Sequence, residues 1–178
     1  MEQKKRWTEE DMHEGNLFFD HKYPSLRIEF ELDHMNSYEE FERFFSNDLM
    51  DENLLLGRYL DHLLEEYGTN ASKISIVIGK DKTYVGKITS GKEKNPSRDV
   101  LLAICVAIGA TVEETQILLR YSGKQPLYAR RKRDAIVWFA LKKRPSRQRM
   151  DDKAYLSELN NYLVDHGYPS LSKIIVKK

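Results

Sequence analysis

Between residues 54 and 123, apolar side chains recur at the three-four spacing of an amphipathic helix, and each recurring stretch stops at a glycine. Leu56, Leu60, Leu63, Leu64 and Tyr67 are followed by Gly68; Ile74, Val77 and Ile78 by Gly79; Val85 and Ile88 by Gly91; the apolar run 100–108 by Gly109. Start signals fill the gaps. Asn70 and Ser97 are residue types that cap helix N-termini, and Thr111-Val112-Glu113-Glu114 is a capping box opening a fifth helix that reaches Tyr121. With only short loops between them, five such helices predict a compact all-helical unit.

The flanks read differently. Thr8-Glu9-Glu10-Asp11 predicts a helix start, residues 26–33 alternate apolar and polar as a half-buried strand does, and Ser37-Tyr38-Glu39-Glu40 opens a short helix. One strand cannot stand alone, so it pairs with an unidentified segment or with its copy in a second chain. After the bundle, a helix is expected from residue 128 to about 143, then a basic break at 144–149, then a last helix over 151–165. Glu114, Leu119, Gly123 and Leu127 recur 44 positions on as Glu158, Leu163, Gly167 and Leu171. Either chance or a duplicated helix, with a glycine stop and a leucine that folds back, accounts for them.

The net charge of +1 conceals an asymmetry. Residues 1–52 hold 6 Lys/Arg against 15 Asp/Glu, a net of −9; residues 53–127 hold 10 against 8, a net of +2; residues 128–178 hold 13 against 5, a net of +8. An acidic front and a basic rear suit a protein of which one surface meets a polyanion. No apolar run approaches the roughly 20 residues needed to span a bilayer, and the charged N-terminus leads into no signal-peptide core. The single cysteine, Cys105, lies in an apolar run and reads as a small core residue. A cytoplasmic protein is expected.

The densest information lies in residues 74–91. When two helices cross at a tight turn, the first needs a small residue on its buried side, here Ser75, whose hydroxyl must bond back to a helix carbonyl. The turn needs a residue that tolerates positive φ, here Gly79; the second helix needs apolar residues inward, Val85 and Ile88, and a stop, Gly91. Its other face is then free to enter a DNA groove. Gly86 in the middle of that helix costs about 1 kcal/mol relative to Ala.

This arrangement resembles the Xre-type helix-turn-helix family, which includes the lambda-like repressors and Cro. The resemblance spans residues 56–114 and continues past the turn through Ser90-Gly91-Lys92, Asn95-Pro96-Ser97, Leu101-Leu102-Ala103-Ile104 and Ile108-Gly109-Ala110-Thr111. Residues 121–128 and Arg133-Asp134-Ala135-Ile136 are similar to the tail of bacterial regulators of this type. The resemblance implies a mainly α protein: a five-helix lambda-repressor-like helix-turn-helix domain at 53–127, a small mixed N-terminal extension at 1–52 and a basic helical C-terminal region at 128–178. It also implies a transcriptional regulator of the repressor kind, a homodimer reading a palindromic operator in double-stranded DNA.

Carried over by position, Lys82 and Thr83 fall at the first exposed positions of the recognition helix and Lys87 one turn on, as base-contacting residues. Asp81 or neighbouring amides cap that helix. Ser72, Tyr84, Lys92 and Lys94 fall where they would reach phosphates. The window 80–98 holds 6 basic and 2 acidic residues, a net of +4. The basic segment 130–149, with 9 Lys/Arg against Asp134 alone, could follow phosphate, dock the acidic N-terminal segment or form a solvated face.

No catalytic chemistry is expected. A phosphate-loop signature fails because six residues separate Gly79 from Gly86-Lys87, and Ile88 stands where Ser or Thr is required. The five histidines show no metal-ligand spacing, so neither metal nor cofactor is expected. The alternative from a different class is a protein-binding module, an antitoxin or inhibitor whose acidic N-terminus masks a partner.

Overall fold

The computed structural model describes residues 32–47, 52–144 and 151–173, and among these residues the regular structure is entirely helical. The chain divides into two compact units, residues 1–50 and 51–178. The helix start expected at 8–11 and most of the strand expected at 26–33 lie outside the described residues; the last two positions of that strand, Leu32 and Asp33, are helical. In the first unit, helix α1 (Tyr38–Asn47) starts with the Glu40 amide donating to the Ser37 hydroxyl at 3.2 Å. The Glu40 carboxylate reaches one residue further back than a standard box, to the Asn36 amide at 2.8 Å.

The second unit contains α2 (Glu52–Glu66), α3 (Ala71–Val77), α4 (Tyr84–Thr89), α5 (Arg98–Ile108), α6 (Val112–Tyr121), α7 (Lys132–Lys143) and α8 (Asp152–Asp165). Residues 100–108 of α5 are all buried, so that helix needs neighbours on every side, and α3, α6, α7 and α8 supply them. The starts of α3, α5 and α6 obey the sequence signals. Asn70 accepts the Lys73 amide at 2.9 Å, Ser97 accepts the Val100 amide at 3.3 Å, and Thr111 and Glu114 exchange both bonds of the box at 3.1 and 2.7 Å.

Helix α7 begins at Lys132, four residues later than the pattern predicts. The cause is Asp134, 3% exposed, which takes both prongs of Arg98 at 3.0 Å and also the Tyr128 amide at 3.0 Å. That clasp holds 128–131 as a turn. Helix α8 begins as expected, Asp151 accepting the Lys153 and Ala154 amides, each at 2.9 Å.

The recurrence at a separation of 44 has a physical counterpart. Beyond α6, the Lys124 amide bonds the Leu119 carbonyl at 2.9 Å, and Leu127 folds back into the core with its amide on the Gln116 side chain at 2.7 Å. Beyond α8, the Tyr168 amide bonds the Leu163 carbonyl at 2.9 Å, and Leu171 folds back with its amide on Asn160 at 2.9 Å. Each partner in the second set stands 44 positions after its counterpart. The preceding helices match at a separation of 35: Arg98-Asp99 opens α5 and Arg133-Asp134 opens α7. The pairs clasp reciprocally, Arg98 on Asp134 at 3.0 Å and Arg133 on Asp99 at 2.8 Å. Each arginine also grips the carbonyl at the matching place in its own hairpin, Gln125 at 2.8 Å and Pro169 at 3.2 Å. Reciprocity of this kind is what a duplicated helical hairpin, its two copies facing each other, would leave.

Candidate nucleic-acid interface

Helices α3 and α4 are joined through Ser75. Its hydroxyl donates to the Ala71 carbonyl at 2.8 Å, the bond that a buried helical serine requires, and accepts the Val85 amide at 2.9 Å. An alanine there would leave that buried amide without its acceptor. Gly79, at φ 72°, lets the chain leave α3 with the Lys80 amide on the Ser75 carbonyl at 2.8 Å.

The start of α4 departs from the expectation. The Asp81 carboxylate accepts the Thr83 amide at 3.0 Å and the Thr83 hydroxyl at 2.6 Å, while the Asp81 carbonyl accepts the Tyr84 amide at 2.9 Å. This is an Asx-type turn, and it delays the helix to Tyr84. Lys82 and Thr83 therefore stand in the turn ahead of α4 rather than on its first exposed positions. The bonds from Thr83 also hold the Asp81 carboxyl below its ordinary value, so it carries its charge among the lysines.

Val85 and Ile88 are wholly buried, which fixes the outward face of α4. Lys80, Lys82, Thr83 and Lys87 are all exposed on it or just before it. Tyr84 is half-buried, with the Lys80 ammonium 5.1 Å from its ring centroid, and burial pushes its hydroxyl up, so it stays a neutral hydrogen-bonding group. The loop with Lys92 and Lys94 folds against the end of α4 through a 2.8 Å bond from the Glu93 amide to the Lys87 carbonyl, and both lysines are exposed. Lys124 joins that loop through Asn95. Neither Lys80 nor Lys124 stands out in the sequence as a site residue; for Lys124 no sequence signal exists, since only the tertiary fold brings it to residue 95. Ser72 is half-buried at the start of α3, where its neighbour Lys73 turns to Asp152 at 3.7 Å.

The basic excess is smaller than its count suggests. Arg98 is committed to Asp134 and to the Gln125 and Pro126 carbonyls, which leaves 5 lysines against Asp81 and Glu93 in the window, a net of +3. In the segment 130–149, Arg133 is held by Asp99 and Pro169, and Arg144 bonds Asp152 at 2.6 Å. Arg130, Lys132, Lys142 and Lys143 are exposed; 145–150 lie outside the described residues.

Gly86 has nothing above it except the Ala71 Cβ, 4.0 Å from where its own Cβ would stand. Among the described residues no group of His, Cys, Asp and Glu could hold a metal ion, and no helix is long and apolar enough to cross a membrane. The chemistry on offer at this face is ammonium groups and hydroxyls beside the side-chain-free Gly86. Comparison of the chain with family models, with curated proteins and with solved structures finds no match.

Proposed function

We propose that the chain is a sequence-specific DNA-binding regulator of the Xre helix-turn-helix type, its α2–α6 the five-helix domain and its α4 the recognition helix, acting as a homodimer on a palindromic operator. The observation that carries this reading is the seating of α4: Ser75, Val85 and Ile88 hold it from within, so that Lys82, Thr83 and Lys87 face outward beside Lys80, Lys92 and Lys94. Lysine can donate to guanine O6 and N7, and threonine can bond a base edge or touch a thymine methyl. Tyr84, Lys92 and Lys94 serve phosphates on either side, with Ser72 a further phosphate contact. The half-sites lie about one helical turn, roughly 34 Å, apart.

Selection of binding sites from random duplex DNA tests the reading. An enriched two-fold sequence supports it, and Lys82→Ala or Lys87→Ala then weakens that site far more than random DNA, by about 1–3 kcal/mol per base contact. Equal losses on both would remove those residues from base reading. The alternative, a protein-binding module working through its acidic front, rests on the net of −9 over residues 1–52. It predicts no enriched sequence, together with a tight basic protein partner.

A further inference from the structure

We propose that the groove between α7 and α8 is a dimer surface, filled by the same groove of a second copy of this chain, with α7 of one copy lying along α8 of the other. The proposal names the surface for the homodimer of the reading above and rests on it in that respect alone; a chain that dimerises as tightly with Phe139→Asp removes this surface and leaves the reading standing.

The internal repeat carries the first step. Hairpins α5–α6 and α7–α8 correspond at a separation of 35 along the first helix and 44 along the second, yet among the described residues only the first hairpin is covered. Leu101, Ile104 and Cys105 on α5, and Thr115 and Leu118 on α6, are completely buried. Helix α2 packs against that hairpin: the Tyr67 hydroxyl donates to Glu114 at 2.8 Å, and the Tyr59 ring meets Tyr121 edge-on at 5.5 Å between centroids. The equivalent positions of the second hairpin, 35 on in α7 and 44 on in α8, are Ile136, Phe139, Ala140, Leu159 and Tyr162. They line an open groove of about 500 Å³, with Phe139 64% exposed and Tyr162 51% exposed. A face that supports a helix in one copy of the motif has no helix against it among the described residues in the other, and a contiguous exposed apolar face marks an interaction site.

Charge names the occupant. Along α7 the groove-side stripe runs Lys132, Ile136, Phe139, Lys143, basic at both ends of an apolar middle. Along α8 the exposed Glu158 lines the same groove, and Asp165, also exposed, follows it by seven residues and so falls on the same side of the helix by its spacing. A basic edge and an acidic edge on either side of one apolar strip complement that same surface turned about a two-fold axis. The lysines of each copy meet the carboxylates of the other, the aromatic side chains fill both grooves, and a four-helix layer results. A second copy supplies both stripes at the required spacing.

The test uses the full chain without DNA. Sedimentation equilibrium from about 1 to about 100 μM should show a reversible dimer, the range in which a modest interface associates. Phe139→Asp should raise the dimer Kd at least about tenfold. Its melting at the lowest concentration should match wild type, because the side chain it replaces is 64% exposed. The double variants K132E/K143E and E158K/D165K should each lose self-association, and an equal mixture of the two should recover a mixed dimer. A wild-type chain that stays monomeric, a Phe139→Asp dimer as tight as wild type, or a mixture that stays monomeric overturns the proposal; a groove that binds only a foreign helix gives the first of these results.

Discussion

A Cβ on Gly57 would lie 2.4 Å from the Thr89 carbonyl oxygen and 3.1 Å from that of Ile88. Helix α2 thus meets the end of α4 backbone to backbone, and it is this approach that seats the outward face of α4. Neither carbonyl can retreat as the tip of a flexible side chain could. Gly57→Ala is therefore expected to push α4 off α2 and to cost about 1–3 kcal/mol, the range for overpacking a filled interior. Urea unfolding measures the loss, and amide exchange should quicken first at Val85 and Ile88. An unchanged midpoint would mean that the two helices have slack.

Gly86 predicts the opposite sign. Its Cβ would meet only the Ala71 Cβ, at an ordinary 4.0 Å, and its φ is not positive. Gly86→Ala should raise stability by about 1 kcal/mol through helix propensity alone. If DNA backbone or a base edge passes over that bare strip, the same methyl lowers affinity. A variant that melts higher and binds its selected operator more weakly supports close approach there; one that melts higher and binds equally well removes Gly86 from the interface.

Much of this fold is legible in the sequence because the signals concerned are local. Asn70, Ser97 and Thr111 cap helices from within three residues, so composition alone marks the starts of α3, α5 and α6. The echo from Glu114 to Glu158 is visible for the same reason. Most of the features that sequence patterns miss are set by contacts between distant segments, and one by a local competition. The late start of α7 depends on Arg98, 36 positions before Asp134. Helix α4 begins at Tyr84 because one carboxylate competes with it locally for Thr83, and periodicity cannot register such competition. The need for glycine at 57 exists only once α4 lies against it. At the candidate site the outward lysines are legible as a charge excess, but which cation stays outside is not: Arg98 reads like Lys94 in sequence and is spent inside.

Three protons, on the buried Cys105 and Tyr59 and the half-buried Tyr67, set an alkaline limit on stability. Burial pushes the Cys105 thiol from 9.0 up to about 12. Burial likewise raises the Tyr59 hydroxyl, with Glu114 adding to it, and raises that of Tyr67, which also donates to Glu114. Since the folded values lie above the unfolded ones, the unfolded chain gives up these protons first. The contribution is therefore complete below about pH 9 and is lost as the pH climbs from 9 toward 12. The urea midpoint should hold between pH 7 and 8.5 and fall by pH 10, less steeply in a C105A/Y59F variant. Below pH 9, Cys105 should resist a thiol reagent until the chain unfolds; prompt labelling of the native protein would contradict its burial.

The phosphate contacts make their own prediction. Lys92 and Lys94 are exposed on the loop held to α4, and each that neutralises a phosphate releases condensed counterions. Replacing both by Ala should reduce the slope of log affinity against log salt by about 0.9 per contact, and should do so nearly equally on the best site and on random duplex. Titrations at several salt concentrations measure it. A slope that does not change would take both lysines out of the phosphate set.

Arg98 and Arg133 occupy matching places in the two hairpins, but the carboxylates they hold differ in depth. The Asp134 side chain is 5% exposed and that of Asp99 37%. Removing Arg98 strands a buried carboxylate, which costs about 3–5 kcal/mol, whereas removing Arg133 leaves Asp99 to water and costs about 1 kcal/mol. Arg98→Ala should therefore be the more damaging by several-fold in free energy, and Asp134→Asn placed on top of it should recover part of the loss by removing the unpaired charge. Urea unfolding of the four chains decides it. Equal losses from the two arginine variants would show that the carbonyls of Gln125 and Pro169, rather than the carboxylates, are what the arginines hold in place.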